Sequence, residues 1–342
     1  MHKFFTKTIL LLSAICFSGL TFAQDGDIDD FIQTEEAISD ANKLIQGYID
    51  PFTAGFGAGL NSGWYNTAKA HKSLGFDIGF TAGLAYIPDE DQFYRPNDLG
   101  LTYFSLNSGQ DAPTIFGPDQ EPSYDFDPTP NNPNSGDEET ISGPPGLGLK
   151  DEIGFNATPI IIPQLGIGVY KNTDLKIRWL PEISLGDDSN LKLFGIGVMH
   201  DIKQHIPGLK LAPFDWSVMV GYTSVTTTTD LEDDFSADNR LLFDTKAWTF
   251  QTMISKKFSV LTLYGALGYN TAKTDLKLEG LYDVGTADPE DAIDNPIDLG
   301  FNSNSMRFTA GLRLKFAIFT LHGDYTIQKY NVLSVGMGFA VR

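Results

Sequence analysis

The sequence predicts an all-β protein: an antiparallel transmembrane β-barrel of even strand number, about 10 to 14, with a small N-terminal plug of helix and glycine-rich chain. Three observations predict it. Apolar and polar residues alternate with a period of two from Leu74 nearly to the C-terminus, and that period belongs to strands. Long acidic connections alternate with tight ones, as in outer-membrane barrels, whose long loops face outward and whose short turns face the periplasm. A leader marks the chain for export: Lys3 and Lys7 precede an apolar run from Ile9 to Phe22, closing at Thr21-Phe22-Ala23, a small-residue cleavage pattern.

Residues 1–23 are therefore expected to be a signal peptide. Their loss removes two lysines and no acids, so a formal charge of −20 becomes −22, which argues against nucleic acid as a partner. Cys16 is the single cysteine and lies in the leader, so no disulfide supports the mature chain. Ile15 before it does not suit a lipoprotein cleavage site. No later stretch reaches the roughly 18 apolar residues of a membrane helix. The expected partners are outer-membrane lipid and the barrel-assembly machinery, and no cofactor is implied.

Residues 24–72 are expected to form the helix and plug. From Asp25 to Tyr48, Ile28, Phe31, Ile32, Ile38, Ala41, Leu44, Ile45 and Tyr48 recur mostly at three- and four-residue steps among acids, which predicts an amphipathic helix, broken near Thr34. The stretch from Phe52 to Ala68 is so rich in glycine and aromatics that it reads as closely packed backbone, with a further strand possible near Gly55. It ends at Asn66, Thr67 and Ala68, which stand just before the wall.

The barrel proper is expected over 73–342. Its first strand runs from Leu74 to Ile87, with Phe76, Ile78, Phe80, Leu84 and Tyr86 opposite Asp77, Gly79, Thr81 and Gly83; a shorter one is possible at Leu99 to Leu106. Residues 107–149 hold eight prolines, eight acids and no lysine or arginine, a composition that predicts a solvated loop with no buried element. Strands resume at Thr158 to Tyr170 and Leu175 to Ser184 around Asn172-Thr173-Asp174. Pairing Lys171 with Leu175 would set Val169 against Ile177 and Ile167 against Trp179, with Tyr170, Lys176, Arg178, Leu180 and Glu182 inward. Leu191 to His200 changes parity halfway, which predicts either a bulge or a strand boundary placed elsewhere. Phe214 to Thr226, Lys246 to Lys256 and Val260 to Leu278 follow, separated by acidic loops at 230–244 and, beyond them, 283–304; His200 to Pro213 reads as a short helix on the turn side.

The last forty residues carry the cleanest pattern. Phe308, Ala310, Leu312, Leu314 and Phe316 oppose Arg307, Thr309, Gly311, Arg313 and Lys315; Phe319, Leu321 and Tyr325 oppose Thr320, His322, Asp324 and Thr326; Leu333, Val335, Met337, Phe339 and Val341 oppose Ser334, Gly336, Gly338 and Ala340. A soluble sandwich would alternate too, but it would have to cover the greasy face with a second sheet. A membrane barrel turns that face to lipid and the polar face to a wet lumen. Assembly signals in such barrels usually end on an aromatic residue; here Arg342 is last and Phe339 lies three back.

Four features resemble the long-chain fatty-acid transporter family of Gram-negative outer membranes and an uncharacterised set of related barrels. They are the helical, glycine-rich N-terminus; Tyr65-Asn66-Thr67-Ala68, similar to an Asn-Pro-Ala before the first strand but with Thr67 in place of proline; the Phe76 to Pro88 strand ending Tyr-Ile-Pro-Asp; and Thr158-Pro159 to Gly168, similar to a proline-containing second strand. The likeness covers about the first 185 residues. It implies an N-terminal plug in the lumen and a hydrophobic ligand that leaves sideways through the wall.

Inward faces of such a barrel gather Lys176, Arg178, Arg307, Arg313, Lys315, His322 and Asp324. A two-residue turn at Ala317-Ile318 sets Arg313 across from His322 and diagonal to Asp324. One reading is a basic strip for the carboxylate of a fatty acid; the other is an ordinary charged network inside a plugged barrel. His322, Asp324 and Ser334 could be assembled into a hydrolytic set, but registry does not force them together, and no enzymatic activity is expected. His200 and His205 lie five apart, which does not stack them on one helix face, and no metal motif accompanies them. Asp125, Asp127, Asp137, Glu138 and Glu139, or Asp288, Glu290, Asp291 and Asp294, offer oxygen ligands suited to calcium without the spacing of a known loop. Gly55-Phe56-Gly57-Ala58-Gly59 is followed by Leu60 and fails the dinucleotide pattern. The expected function is passive uptake or binding of a hydrophobic small molecule such as a fatty acid; the alternative is a non-transporting structural or surface-display barrel.

Overall fold

The computed structural model describes residues 35–130, 139–186, 188–231, 239–282 and 293–341. The leader, the start of the expected helix, Arg342 and the acids Asp137, Glu138, Asp288, Glu290 and Asp291 lie outside these. Ten antiparallel strands close into a barrel in which each pairs with its neighbours in sequence and the last returns to the first. In chain order they are β1 (Phe76–Tyr86), β2 (Ala157–Gly168), β3 (Thr173–Ser184), β4 (Ser189–Asp201), β5 (Asp215–Asp230), β6 (Arg240–Phe258), β7 (Leu261–Glu279), β8 (Ile297–Phe316), β9 (Phe319–Ile327) and β10 (Val332–Val341).

The wall is lopsided. β6, β7 and β8 run 19, 19 and 20 residues, whereas β9 and β10 run 9 and 10. On the tall side the outward face is apolar only below the level of Trp248, Tyr269 and Met306, all exposed. From Trp248 down to Phe258, ten residues on a strand tilted by about 40° rise about 25 Å, the height of a lipid-facing band. Phe258, Phe316, Phe319 and Phe339 mark its lower rim. Above the band the pattern inverts: Lys246 and Lys273 point out, while Val225, Phe243, Leu276, Leu299 and Phe301 point in and are buried. This inversion explains the parity change read in Leu191 to His200. Strand β4 carries no bulge; Leu191 and Leu193 are simply inward apolar residues, and the one register shift lies on β3, between Leu180 and Ile183.

What fills that apolar upper lumen is one helix, α1 (Glu35–Leu60). It continues through Pro51 and the glycine-rich stretch, where irregular, closely packed backbone or a strand near Gly55 was expected; the break expected near Thr34 lies outside the described residues. Inside a lumen lined by apolar side chains, helix is the backbone that satisfies its own amides. The glycines let it approach the wall. A Cβ on Gly59 would stand 1.8 Å from Ile160 Cδ1, and one on Gly57 would stand 2.5 Å from Ala272 Cβ. Phe52 and Phe56 pack on Phe243, with ring centroids 5.7 Å away in both pairs.

The long connection between β1 and β2 corrects a second expectation. Rather than a solvated loop, its described residues form a small cap: Phe104–Leu106, Ser123–Phe126 and Glu139–Ser142 make a three-stranded sheet. Phe104, Tyr124, Phe126 and Ile141 are buried with Ala37 and Leu44 of α1. The alternate apolar positions of Tyr124-Asp-Phe126 supply a face that composition alone averages away. Phe104–Leu106 thus belongs to the cap, not to the wall. Within the β4–β5 connection, two single 3₁₀ turns, Lys203–His205 and Leu209–Leu211, replace the expected helix.

Candidate functional site

The lower lumen is polar, and the chain below α1 threads it. A helix end leaves carbonyls without partners and concentrates negative partial charge. Two arginines from opposite walls meet that need. Arg178 on β3 donates from Nη1 to Leu60 O at 2.6 Å and from Nη2 to Ser62 O at 2.5 Å; Arg307 on β8 donates to Asn61 O at 2.6 Å. Both arginines are buried. Arg178 also lies over the Trp64 ring, 3.5 Å from Cζ to the centroid, and donates from Nε to Gln164 Oε1 at 3.0 Å. The planar guanidinium, with several fixed donors, suits a carbonyl cluster better than an ammonium would.

Residues 64–71 then pass down the barrel with a partner at nearly every step. Tyr65 donates to Gln251 at 2.6 Å; Asn66 Nδ2 lies 3.5 Å from His322 Nδ1; Thr67 Oγ1 lies 3.2 Å from Ser255 Oγ; Ala68 receives a hydrogen bond from Ser217 at 2.6 Å and gives one to Ser255 at 3.0 Å. His71 closes the run on Asp174, with Nδ1 3.0 Å from Oδ2. Lys176 Nζ sits 3.8 Å from Asp77 Oδ1 beside it. These contacts could not be read from the sequence, because they join residues 99 to 256 positions apart.

The seven inward candidates therefore do not form one basic strip. Lys176 and Arg178 stand on β3 and Arg307, Arg313 and Lys315 on β8, five strands away around a ring of ten, on opposite sides of the plug. Arg313 does pair across from His322, and Gly311 from Asp324. Asp324 is taken by Tyr264, whose hydroxyl donates to it at 2.9 Å. His322 Nε2 approaches Thr81 Oγ1 at 3.3 Å. Ser334 faces Asp324 directly across β9 and β10 and is fully buried. Lys315 is half-buried near the lower rim. The β2–β3 register differs from the expected one: Ile167 pairs with Leu175 rather than Trp179, and Gly168 with Asp174, because the turn centres on Lys171 and not on Thr173. Tyr170 consequently sits in the turn, 70% exposed. Glu182, beyond the register shift, is exposed as well.

One part of the wall is incomplete. β2 and β3 share five pairs, Gln164–Arg178 to Gly168–Asp174, while β2 shares eleven with β1. Residues 157–163 and 179–184 border each other without a ladder. All three prolines of the ten strands, Pro159, Pro163 and Pro181, lie here; proline gives no N–H to a neighbour and belongs at edges. Behind the seam lie Ile160, Ile162, Leu180 and Leu193, packed in the same apolar cluster as α1.

A closed barrel with an outward apolar band, long connections at one end and an internal helix defines an outer-membrane β-barrel with an occupied lumen. Within that class, the chain belongs to the family of unknown function DUF6588, whose model matches residues 1–341. No curated protein matches it. Among solved structures, it is similar to a loop-deletion mutant of the outer-membrane protein OmpT of Vibrio cholerae (11% identity over 77% of this chain and 76% of that one, TM-score 0.27). It is also similar to the outer-membrane protease OmpT of Escherichia coli (6%, 78% and 94%, 0.28). A third is the translocator domain of the autotransporter NalP of Neisseria meningitidis (8%, 80% and 90%, 0.24).

Proposed function

We propose that this barrel takes up a hydrophobic small molecule, such as a fatty acid, and passes it between the apolar upper lumen and the membrane through the β2–β3 seam. The observation that carries the reading is the seam itself: half of one strand pair lacks a ladder, and apolar side chains lie on both sides of the gap. In a membrane core, unpaired strand edges are costly, so a ladder along the whole strand pair would be the default. Arg313, whose Nε has no hydrogen-bond partner, and Lys315 near the lower rim would meet a carboxylate head. The lumen is filled by α1, so passage requires the helix to shift. The likeness to the fatty-acid transporter family agrees with this reading, and no catalytic role is assigned.

A second reading is supported by the clamp on α1: a barrel whose helix end is held from both walls suits a closed structural or surface-display post. Lipid extraction and mass spectrometry on the folded barrel in mild detergent, beside an unrelated barrel treated alike, separate the two. A stoichiometric hydrophobe found only here supports uptake. A blank that persists after fatty acids are offered supports the closed post.

A further inference from the structure

The connection between β4 and β5 at the lower rim opens on a histidine pair. His200 closes β4, and His205 sits in the 3₁₀ turn that follows. Their Nε2 atoms are 2.9 Å apart, with ring planes 26° apart and centroids at 5.2 Å, so ring edges meet nitrogen to nitrogen. A helix would have separated residues five apart; the strand end followed by a tight turn folds them together. The second ring nitrogen of His200 is fixed from behind, with Nδ1 2.7 Å from Oγ1 of its cross-strand neighbour Thr173. Gln204 locks the turn by donating to Lys171 O and Asp201 O, both at 2.8 Å. His205 is exposed.

We propose that His200 and His205 bind a divalent transition-metal ion, with zinc as the reference case, at the periplasmic rim. One imidazole N–H must bridge to the other ring's lone pair at 2.9 Å; a metal replaces that proton, and both nitrogens then act as ligands. Zinc–nitrogen bonds of about 2.1 Å in a tetrahedral site place two nitrogens about 3.4 Å apart, so the rings move by a few tenths of an ångström. The Thr173 contact is the outer-sphere hydrogen bond that metal-bound imidazoles generally make, and it aims Nε2 of His200 at the ion. The remaining positions are open to water. Among the described residues no group of three or more His, Cys, Asp or Glu could hold a metal, so the site is a two-histidine one.

The test uses the full chain folded in detergent and stripped with EDTA. Calorimetric titration with zinc chloride should give one site per chain, and H205A should weaken it at least tenfold while the barrel keeps its heat-modifiable migration on gels. Copper(II) added to the same protein should show nitrogen coupling from two imidazoles in its electron paramagnetic resonance spectrum, reduced to one in H205A. Zinc binding unchanged in both H205A and H200A, or a copper spectrum with oxygen ligands only, would place the ion on the acidic loops and overturn the assignment. No binding at all would overturn it as well.

Discussion

Arg178 and Arg307 reach from diametrically opposite strands to Leu60 and Asn61, consecutive carbonyls at the end of one helix. Neither arginine finds a carboxylate there; the helix terminus is their common acceptor. A buried cation that donates to backbone carbonyls at a helix end depends on that helix staying in place, and the helix depends on it in turn.

Removing one side of this clamp should loosen the plug before it unfolds the wall. Each hydrogen bond from a charged donor contributes about 1.5 to 3 kcal/mol, and R178A removes bonds to Leu60 and Ser62 together. The expected outcome is faster hydrogen exchange in the last turns of α1 and higher ion conductance in planar bilayers, with R178K intermediate. Unaltered exchange in R178A would mean that the helix is held by its apolar contacts alone.

Deleting residues 25–68 should open the barrel. The described part of that segment occupies both the apolar and the polar halves of the lumen, so single-channel current should rise well above that of the full chain. A current equal to that of the intact protein would count against a plug.

Gly59 should tolerate no side chain while Ile160 stands opposite. Overpacking of this kind costs about 1 to 3 kcal/mol, so G59V should lower the temperature of the gel-mobility transition. Adding I160A should recover part of the loss, because the two residues share one space; additive effects would mean they do not touch.

Asp40 gives the cap a defined acid limit. Burial alone would raise its pKa, but Lys43 and the amides of Tyr103 and Thr102 more than offset this and hold the carboxyl below its ordinary value of 3.8. A depressed folded pKa stabilises above the unfolded value and is lost as pH falls through the folded one. Protection of the Thr102 and Tyr103 amides, measured as exchange relative to the intrinsic rate at each pH, should therefore be flat from neutral pH to about pH 5 and fall below about pH 4. In D40N the same amides should be less protected at neutral pH and show no such fall.

Phe308, Leu312, Trp179 and Ile177 face outward within the apolar band. Cysteines placed there should resist water-soluble thiol reagents in intact membranes, while one at Lys246, above the band, should react readily. Equal labelling at all five positions would place the band wrongly.

What the sequence determined by itself is the wall. Alternation fixed the face of Arg307, Arg313 and Lys315, the short connection at Ala317-Ile318 fixed the pairing of Arg313 with His322, and the even count followed from hairpins closing on one another. These are local properties, because a strand's period and a two-residue turn are set by neighbours in the chain. Only the tertiary structure decided the contents. Leu191 read as a change of parity and Phe243 as part of an acidic loop until α1 supplied something apolar for them to face, and 107–149 read as solvated until Phe104, Tyr124 and Phe126 met Ala37 and Leu44. Likewise Arg178 and Arg307 read as a strip until a helix end came between them. In each case the deciding contact joins segments far apart in sequence, and burial depends on what arrives opposite a residue rather than on what stands beside it.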